Sequence, residues 1–122
     1  MVAVTAAAAI AGASPATAAP FPAHVTVVRA ASSCPVGEFC VWTDSPFRGH
    51  FGSFLSGSRN LATFNGGALD RAITDVWNRS DINFCLWDQP DYFGHRLTVR
   101  PTSQGYYVGA AWNDKARSIH NC

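Results

Sequence analysis

The 122-residue chain has little net charge: nine Lys and Arg stand against eight Asp and Glu, a formal balance of +1. No basic stripe or acidic run breaks that balance, which argues against nucleic acid and an anionic membrane surface as partners. Glu38 is the single glutamate and Lys115 the single lysine. No apolar run is long enough to span a bilayer. No Cys-x-x-Cys or Cys/His pair has the spacing that zinc uses. His24, His50, His95 and His120 are scattered, with no His-x-x-x-His, and no nucleophile–base pair converges in sequence. The chain therefore reads as a non-enzyme without a cofactor. Between residues 34 and 122 no window sustains a helical apolar stripe free of glycine and proline, which removes a helical domain from consideration.

What is present divides the chain in three. Residues 1–19, "MVAVTAAAAIAGASPATAA", are almost entirely small and apolar, and they end in small-residue patterns such as Ala16-Thr17-Ala18. They resemble a signal peptide without its basic start; a low-complexity tail is the alternative. Residues 20–33 read as a linker or pro-segment, and residues 34–122 as the folded domain. All four cysteines, Cys34, Cys40, Cys85 and Cys122, lie in that last segment. An even count beside a secretory leader predicts two disulfides and a secreted, extracellular protein, expected to be monomeric. A domain this small needs such staples, because its core alone is marginal.

The folded segment repeats itself. Phe39-Cys40-Val41-Trp42 lies over Phe84-Cys85-Leu86-Trp87, and Trp42, Phe47 and Gly49 fall on Trp87, Tyr92 and Gly94. His50 and His95 follow in the same register. "LDRAIT" (69–74) later answers to "NDKARS" (113–118). Two units of about 45 residues indicate a duplicated supersecondary element. Each opens with a run of aromatic and β-branched residues, breaks at Asp-Ser-Pro or Asp-Gln-Pro-Asp, passes through a turn-rich middle and ends in a short strand-like run, "TDVWN" or "SIHNC". The fold class is therefore all-β: about eight strands, four per unit, as two Greek keys packed face to face and related by a pseudo-twofold. In the pattern aromatic-x-x-x-x-aromatic-x-Gly the chain turns back as a tight hairpin. Its two rings stack, and its glycine takes a backbone angle that a Cβ would forbid. Val41 and Leu86 alternate with the tryptophans; if they face the sandwich, Trp42 and Trp87 cover the hairpins from outside.

The doubled hairpin and the Asp-Arg/Lys-Ala segments resemble βγ-crystallin Greek keys. The opening "SCPVGEFC" is similar to the start of a secreted actinobacterial metalloproteinase inhibitor with that fold. The resemblance covers residues 33–122. In a Greek key the fourth strand lies beside the first, so Cys85, opening the first strand of unit two, should face Cys122, closing its fourth. Cys34 is left for Cys40. The long bridge is worth roughly 3.5–4 kcal/mol and the short one about 2 kcal/mol on a loop-entropy model. The crystallin calcium site takes an oxygen ligand at the first position of each Asp-containing segment and a hydroxyl at the fifth. Here the first position of unit one is Leu69, and the fifth positions are Ile73 and Arg117, so no metal site is expected. Asp70 and Asp114 then hold turns by side-chain-to-backbone hydrogen bonds.

What the resemblance implies is inhibition of a secreted metalloprotease through a rigid surface loop. The inhibitor's reactive bond lies in a small disulfide loop of its second half, and this chain has no closely spaced cysteine pair there. The remaining candidates are the Cys34–Cys40 loop, the Ser56–Gly67 segment and the Pro101–Gly109 segment. Two other functions fit the same fold. One is a non-inhibitory extracellular structural or binding module, in which Tyr106, Tyr107 and Trp112 touch a partner or glycan. The other is a secreted protein resembling a killer toxin. N-terminal sequencing of the secreted chain should begin between Ala19 and Pro22; an intact Met1 would contradict the leader assignment.

Overall fold

The computed structural model describes residues 26–27 and 33–122, an all-β domain of two packed antiparallel sheets. Among the described residues nine strands follow in chain order: β1 (Thr26–Val27), β2 (Phe39–Asp44), β3 (Arg48–Phe54), β4 (Gly57–Ser58), β5 (Asp75–Asn78), β6 (Phe84–Trp87), β7 (Arg96–Val99), β8 (Tyr106–Tyr107) and β9 (Ser118–Asn121). One sheet runs β1-β3-β2-β5-β8 and the other β4-β9-β6-β7. Within each unit the fourth strand lies beside the first, as a Greek key requires: Val41 faces Val76, and Leu86 faces Ile119.

Two features go beyond the expectation of four strands per unit. The third strands are exchanged. Gly57–Ser58 of unit one pairs with His120 and Ile119 of unit two, and Tyr106–Tyr107 of unit two pairs with Val76 and Asp75 of unit one. Each sheet is therefore completed by the other half of the chain. In addition, Thr26–Val27, within the segment read as a linker, pairs along His50 and Phe51 of β3.

The core follows from the period-2 alternation of the first strands. Phe39, Val41 and Phe54 of one sheet meet Phe84, Leu86, Val99 and Ile119 of the other, with Leu61, Leu69 and Ile73 filling the ends. At the centre, Phe39 stacks on Phe84 with ring centroids 4.9 Å apart and planes 16° from parallel. These two residues are equivalent in the repeat. The tryptophans alternate away from this core. Trp42 lies in a second apolar cluster on the other face of its sheet, with Cys34, Cys40 and Phe51, flanked by Phe47 and Trp77. It is fully buried, whereas Trp87 is only half-buried.

Disulfides join Cys34 to Cys40 and Cys85 to Cys122, each with Cα atoms 5.9 Å apart. At the position of unit one that matches Cys122 stands Asn78, fully buried. Its amide donates to the Ile82 and Val99 carbonyls (2.8 Å each), and its Oδ1 accepts from the Ser80 backbone and hydroxyl. The sequon Asn78-Arg79-Ser80 thus has its asparagine committed to the fold.

The two hairpins are built alike. Trp42 contacts Phe47 edge-on at 5.0 Å, and Trp87 contacts Tyr92 at 5.2 Å. Both hairpin aromatics occupy the left-handed region, Phe47 at φ 53° and Tyr92 at φ 64°, which a bulky side chain rarely enters. Hydrogen bonds hold them there. The Phe47 amide donates to Asp75 Oδ2 at 2.9 Å, and the Tyr92 amide to Ser118 Oγ at 3.1 Å. Gly49 and Gly94 follow at φ 80° and 89°. A Cβ on Gly49 would strike Thr43 Oγ1, and one on Gly94 would strike Asp88 Oδ1. Those same oxygens accept from the amides of His50 and His95 at 2.9 Å, so the backbone of the recurring histidines is used identically in both units. Gly49→Val and Gly94→Val should each cost at least about 1–3 kcal/mol through strain at positive φ. Urea unfolding checks this, and an unshifted midpoint for either variant would contradict it.

Candidate functional site

The three candidate segments differ in what they expose. Ser56–Gly67 is tied down by strand pairing, by the Arg59–Asp91 ion pair and by buried apolar side chains. Leu61 is fully buried, its amide donates to the Arg117 carbonyl (2.9 Å), and Phe64 packs on Phe54 with centroids 5.2 Å apart. What it shows to solvent is mostly small or polar, such as Ala62, Thr63 and Gly66. Pro101–Gly109 contains β8 and presents Tyr106 and Tyr107, 39% and 48% exposed. Desolvation by burial pushes the Tyr106 hydroxyl pKa up. Trp112 instead packs half-buried against the main core.

The Cys34–Cys40 loop is the one of the three that has a disulfide at its own two ends, six positions apart. Within it Glu38 N–H donates to the Pro35 carbonyl (3.3 Å), a four-residue turn whose third member, Gly37, sits at φ 92°. A turn with a left-handed third residue needs glycine there. The turn leaves Val36 76% exposed, while the ends of the loop, Cys34 and Cys40, are buried. Arg79 grips the loop from outside. Its carbonyl accepts from Gly37 N–H (3.0 Å), its N–H donates to the Glu38 carbonyl (2.9 Å), and its guanidinium donates to the Cys34 carbonyl (2.8 Å). That guanidinium lies 4.7 Å from the centroid of Trp77, whose indole N–H donates to the Thr102 carbonyl (3.2 Å). Sequence reasoning named the loop and missed Arg79; a basic residue following an aromatic at the end of a predicted strand was its only signal.

A family model described as Peptidase inhibitor family I36 matches residues 28–84 and again residues 81–122, one match over each unit. The chain belongs to this peptidase inhibitor family. Among solved structures it is similar to a βγ-crystallin domain from Flavobacterium johnsoniae, at 24% identity and a TM-score of 0.58, covering 69% of this chain and 92% of that one. A βγ-crystallin domain from Clostridium beijerinckii follows at 21% identity and a TM-score of 0.59, with 69% and 95% covered. A structure concerned with the evolution of the eye lens βγ-crystallin domain fold gives a TM-score of 0.66 at 14% identity, with 80% and 96% covered. At these identities the likeness shows the fold. No curated protein matches the chain. The family is one of peptidase inhibitors, not of enzymes. Family and disulfides are consistent with an extracellular protein.

In this peptidase inhibitor the segments corresponding to the crystallin calcium sites are packed and ion-paired, and the Asp70 carboxylate meets a side chain where a bond to the backbone was expected. Leu69 and Ile73 are buried in the main core. Arg117 places its Nε 3.1 Å from Asp70 Oδ1, with both side chains largely buried, so a fixed guanidinium faces the carboxylate. Thr74 Oγ1 lies 2.8 Å from both the Thr43 carbonyl and Asn113 Oδ1, and its one proton goes to one of them. A groove of about 690 Å³ beside the first hairpin is lined by Asp44, His50, Arg71, Thr74, Asn113 and Asp114. Among the described residues no three His, Cys, Asp or Glu side chains converge as a metal site. In unit two, the hydrogen bond from the His95 ring (2.9 Å) holds the Asp88 carboxyl below its ordinary pKa. Calcium titration calorimetry should give no micromolar isotherm; such an isotherm would contradict the structural role given to Arg117.

Proposed function

We propose that the chain is a secreted inhibitor of a metalloprotease and acts through a rigid surface loop. Family membership supplies the inhibitory activity, and the sequence resemblance to a secreted metalloproteinase inhibitor supplies the protease class. The observation that carries the mechanism is that exposed turns are fixed at both ends to one stapled sandwich. The backbone of the Cys34–Cys40 loop is closed by a disulfide and hydrogen-bonded to the end of β5. A loop already held in one conformation loses little freedom on binding, so more of the contact energy appears as affinity. The protease partner is then expected to bind a monomer of this chain without a metal or cofactor contributed by the inhibitor.

Purified secreted protein assayed against metallo-, serine and cysteine endopeptidases tests this. Inhibition confined to metalloproteases is the expected result. Inhibition of another class alone, or of none, would overturn the proposal.

A further inference from the structure

We infer that the inhibitory contact is the Pro35–Glu38 turn, with Val36 inserted into an apolar specificity pocket of the protease and Arg79 as the positioning residue that keeps the turn closed; this rests on the inhibitory reading above. Four exposed apolar side chains stand out on the domain: Val36, Leu55, Ile82 and Phe93. Val36 and Leu55 are the most exposed of them, at 76% and 74%, and of the four only Val36 sits in a short disulfide loop, its cysteines six positions apart. An exposed valine at the apex of a short, fixed turn is a convex apolar knob, and its complement is a concave apolar pocket. Aromatic or charged specificity pockets do not fit it.

The same geometry explains why such a contact would inhibit rather than be cut. An endopeptidase takes a substrate backbone in extended form across its cleft. The Glu38-to-Pro35 hydrogen bond and the left-handed Gly37 hold this backbone in a turn. Opening it requires breaking the Arg79 contacts to Cys34, Gly37 and Glu38 together. The Arg79 guanidinium also lies over the Trp77 ring while it bonds the Cys34 carbonyl, a pair of contacts that a lysine ammonium would not reproduce. Val36 therefore enters the pocket while the bonds on either side of it stay out of substrate geometry.

The test uses the full secreted chain and a zinc endopeptidase with an apolar pocket, thermolysin as the probe. Inhibition constants and non-reducing peptide maps after incubation with excess protease are measured for wild type, Val36→Asp, Arg79→Ala, Leu55→Asp and Phe93→Asp. Val36→Asp should weaken inhibition by about 100-fold or more, as loss of a central contact does, and should leave the loop uncut. Arg79→Ala keeps the two backbone bonds to Gly37 and Glu38 but removes the guanidinium bond to the Cys34 carbonyl and the Trp77 contact, and should weaken inhibition by about tenfold through lost preorganisation. It should also be nicked first between Pro35 and Glu38, the fragments staying joined by the Cys34–Cys40 bridge. Leu55→Asp and Phe93→Asp should inhibit like wild type. If wild type inhibits and Val36→Asp inhibits equally, or if Leu55→Asp or Phe93→Asp is the variant that fails, the loop assignment is overturned while the inhibitory reading stands. If wild type does not inhibit thermolysin but Arg79→Ala is still nicked first in this turn, the turn is a cleavage site and the inhibitory contact assigned to it is overturned, while the inhibitory reading is decided by the protease panel above. A first nick elsewhere in Arg79→Ala overturns the positioning role.

Discussion

The stack of Phe39 on Phe84 is the contact around which the domain is organised. The two residues are equivalent in the sequence repeat, so their contact places the pseudo-twofold between the rings. The apolar side chains on the facing sides of the two sheets are arranged about that pair. Removing either ring would cost about 3–5 kcal/mol, a large part of what a domain of this size has to spare. The exchanged third strands make the dependence mutual. Gly57–Ser58 and Tyr106–Tyr107 each complete the sheet of the other unit, so neither unit closes its sheet alone.

The duplication is faithful where geometry demands it and free elsewhere. Both hairpins need a ring in the left-handed region, a glycine where a Cβ would strike a side-chain oxygen, and a polar side chain to receive the ring residue's amide. Unit one uses Asp75 for that last purpose and unit two Ser118. At the closing end of each unit the solutions also differ. Unit two ends in the Cys85–Cys122 bridge, whereas unit one reaches the same strand end with the hydrogen-bonded amide of Asn78. That leaves Cys40 free to pair with Cys34, and a covalently closed loop arises at only one end of the duplicated frame.

This division explains what could be read in the sequence. The all-β class and the two Greek keys were legible because Trp42, Phe47 and Gly49 recur in register as Trp87, Tyr92 and Gly94. The alternation of Val41 with Trp42 gave the core-facing side of β2. The strand exchange was not legible, because Gly57–Ser58 and Tyr106–Tyr107 are two-residue strands with no periodicity to reveal their neighbours. The full burial of Trp42 against the half-burial of Trp87 was also invisible, since the repeat makes them look alike. The calcium-type segments were legible from single residues: Ile73 and Arg117 stand where a hydroxyl would be needed, and the structure puts one in the core and the other on Asp70. The three loops could not be ranked from sequence, because the grip of Arg79 on the Cys34–Cys40 loop joins residues far apart in the chain.

Function in this account rests on one mechanical property: the loop moves only when the sandwich does. Native-state hydrogen exchange of the Gly37 amide, which donates to the Arg79 carbonyl, measures that property directly against the core amides of Val41 and Val76. The account predicts that Gly37 exchanges only through global unfolding, with the same opening free energy and denaturant dependence as the core pair. Exchange of Gly37 through a local opening, at a rate independent of denaturant and well above that of the core, would contradict it.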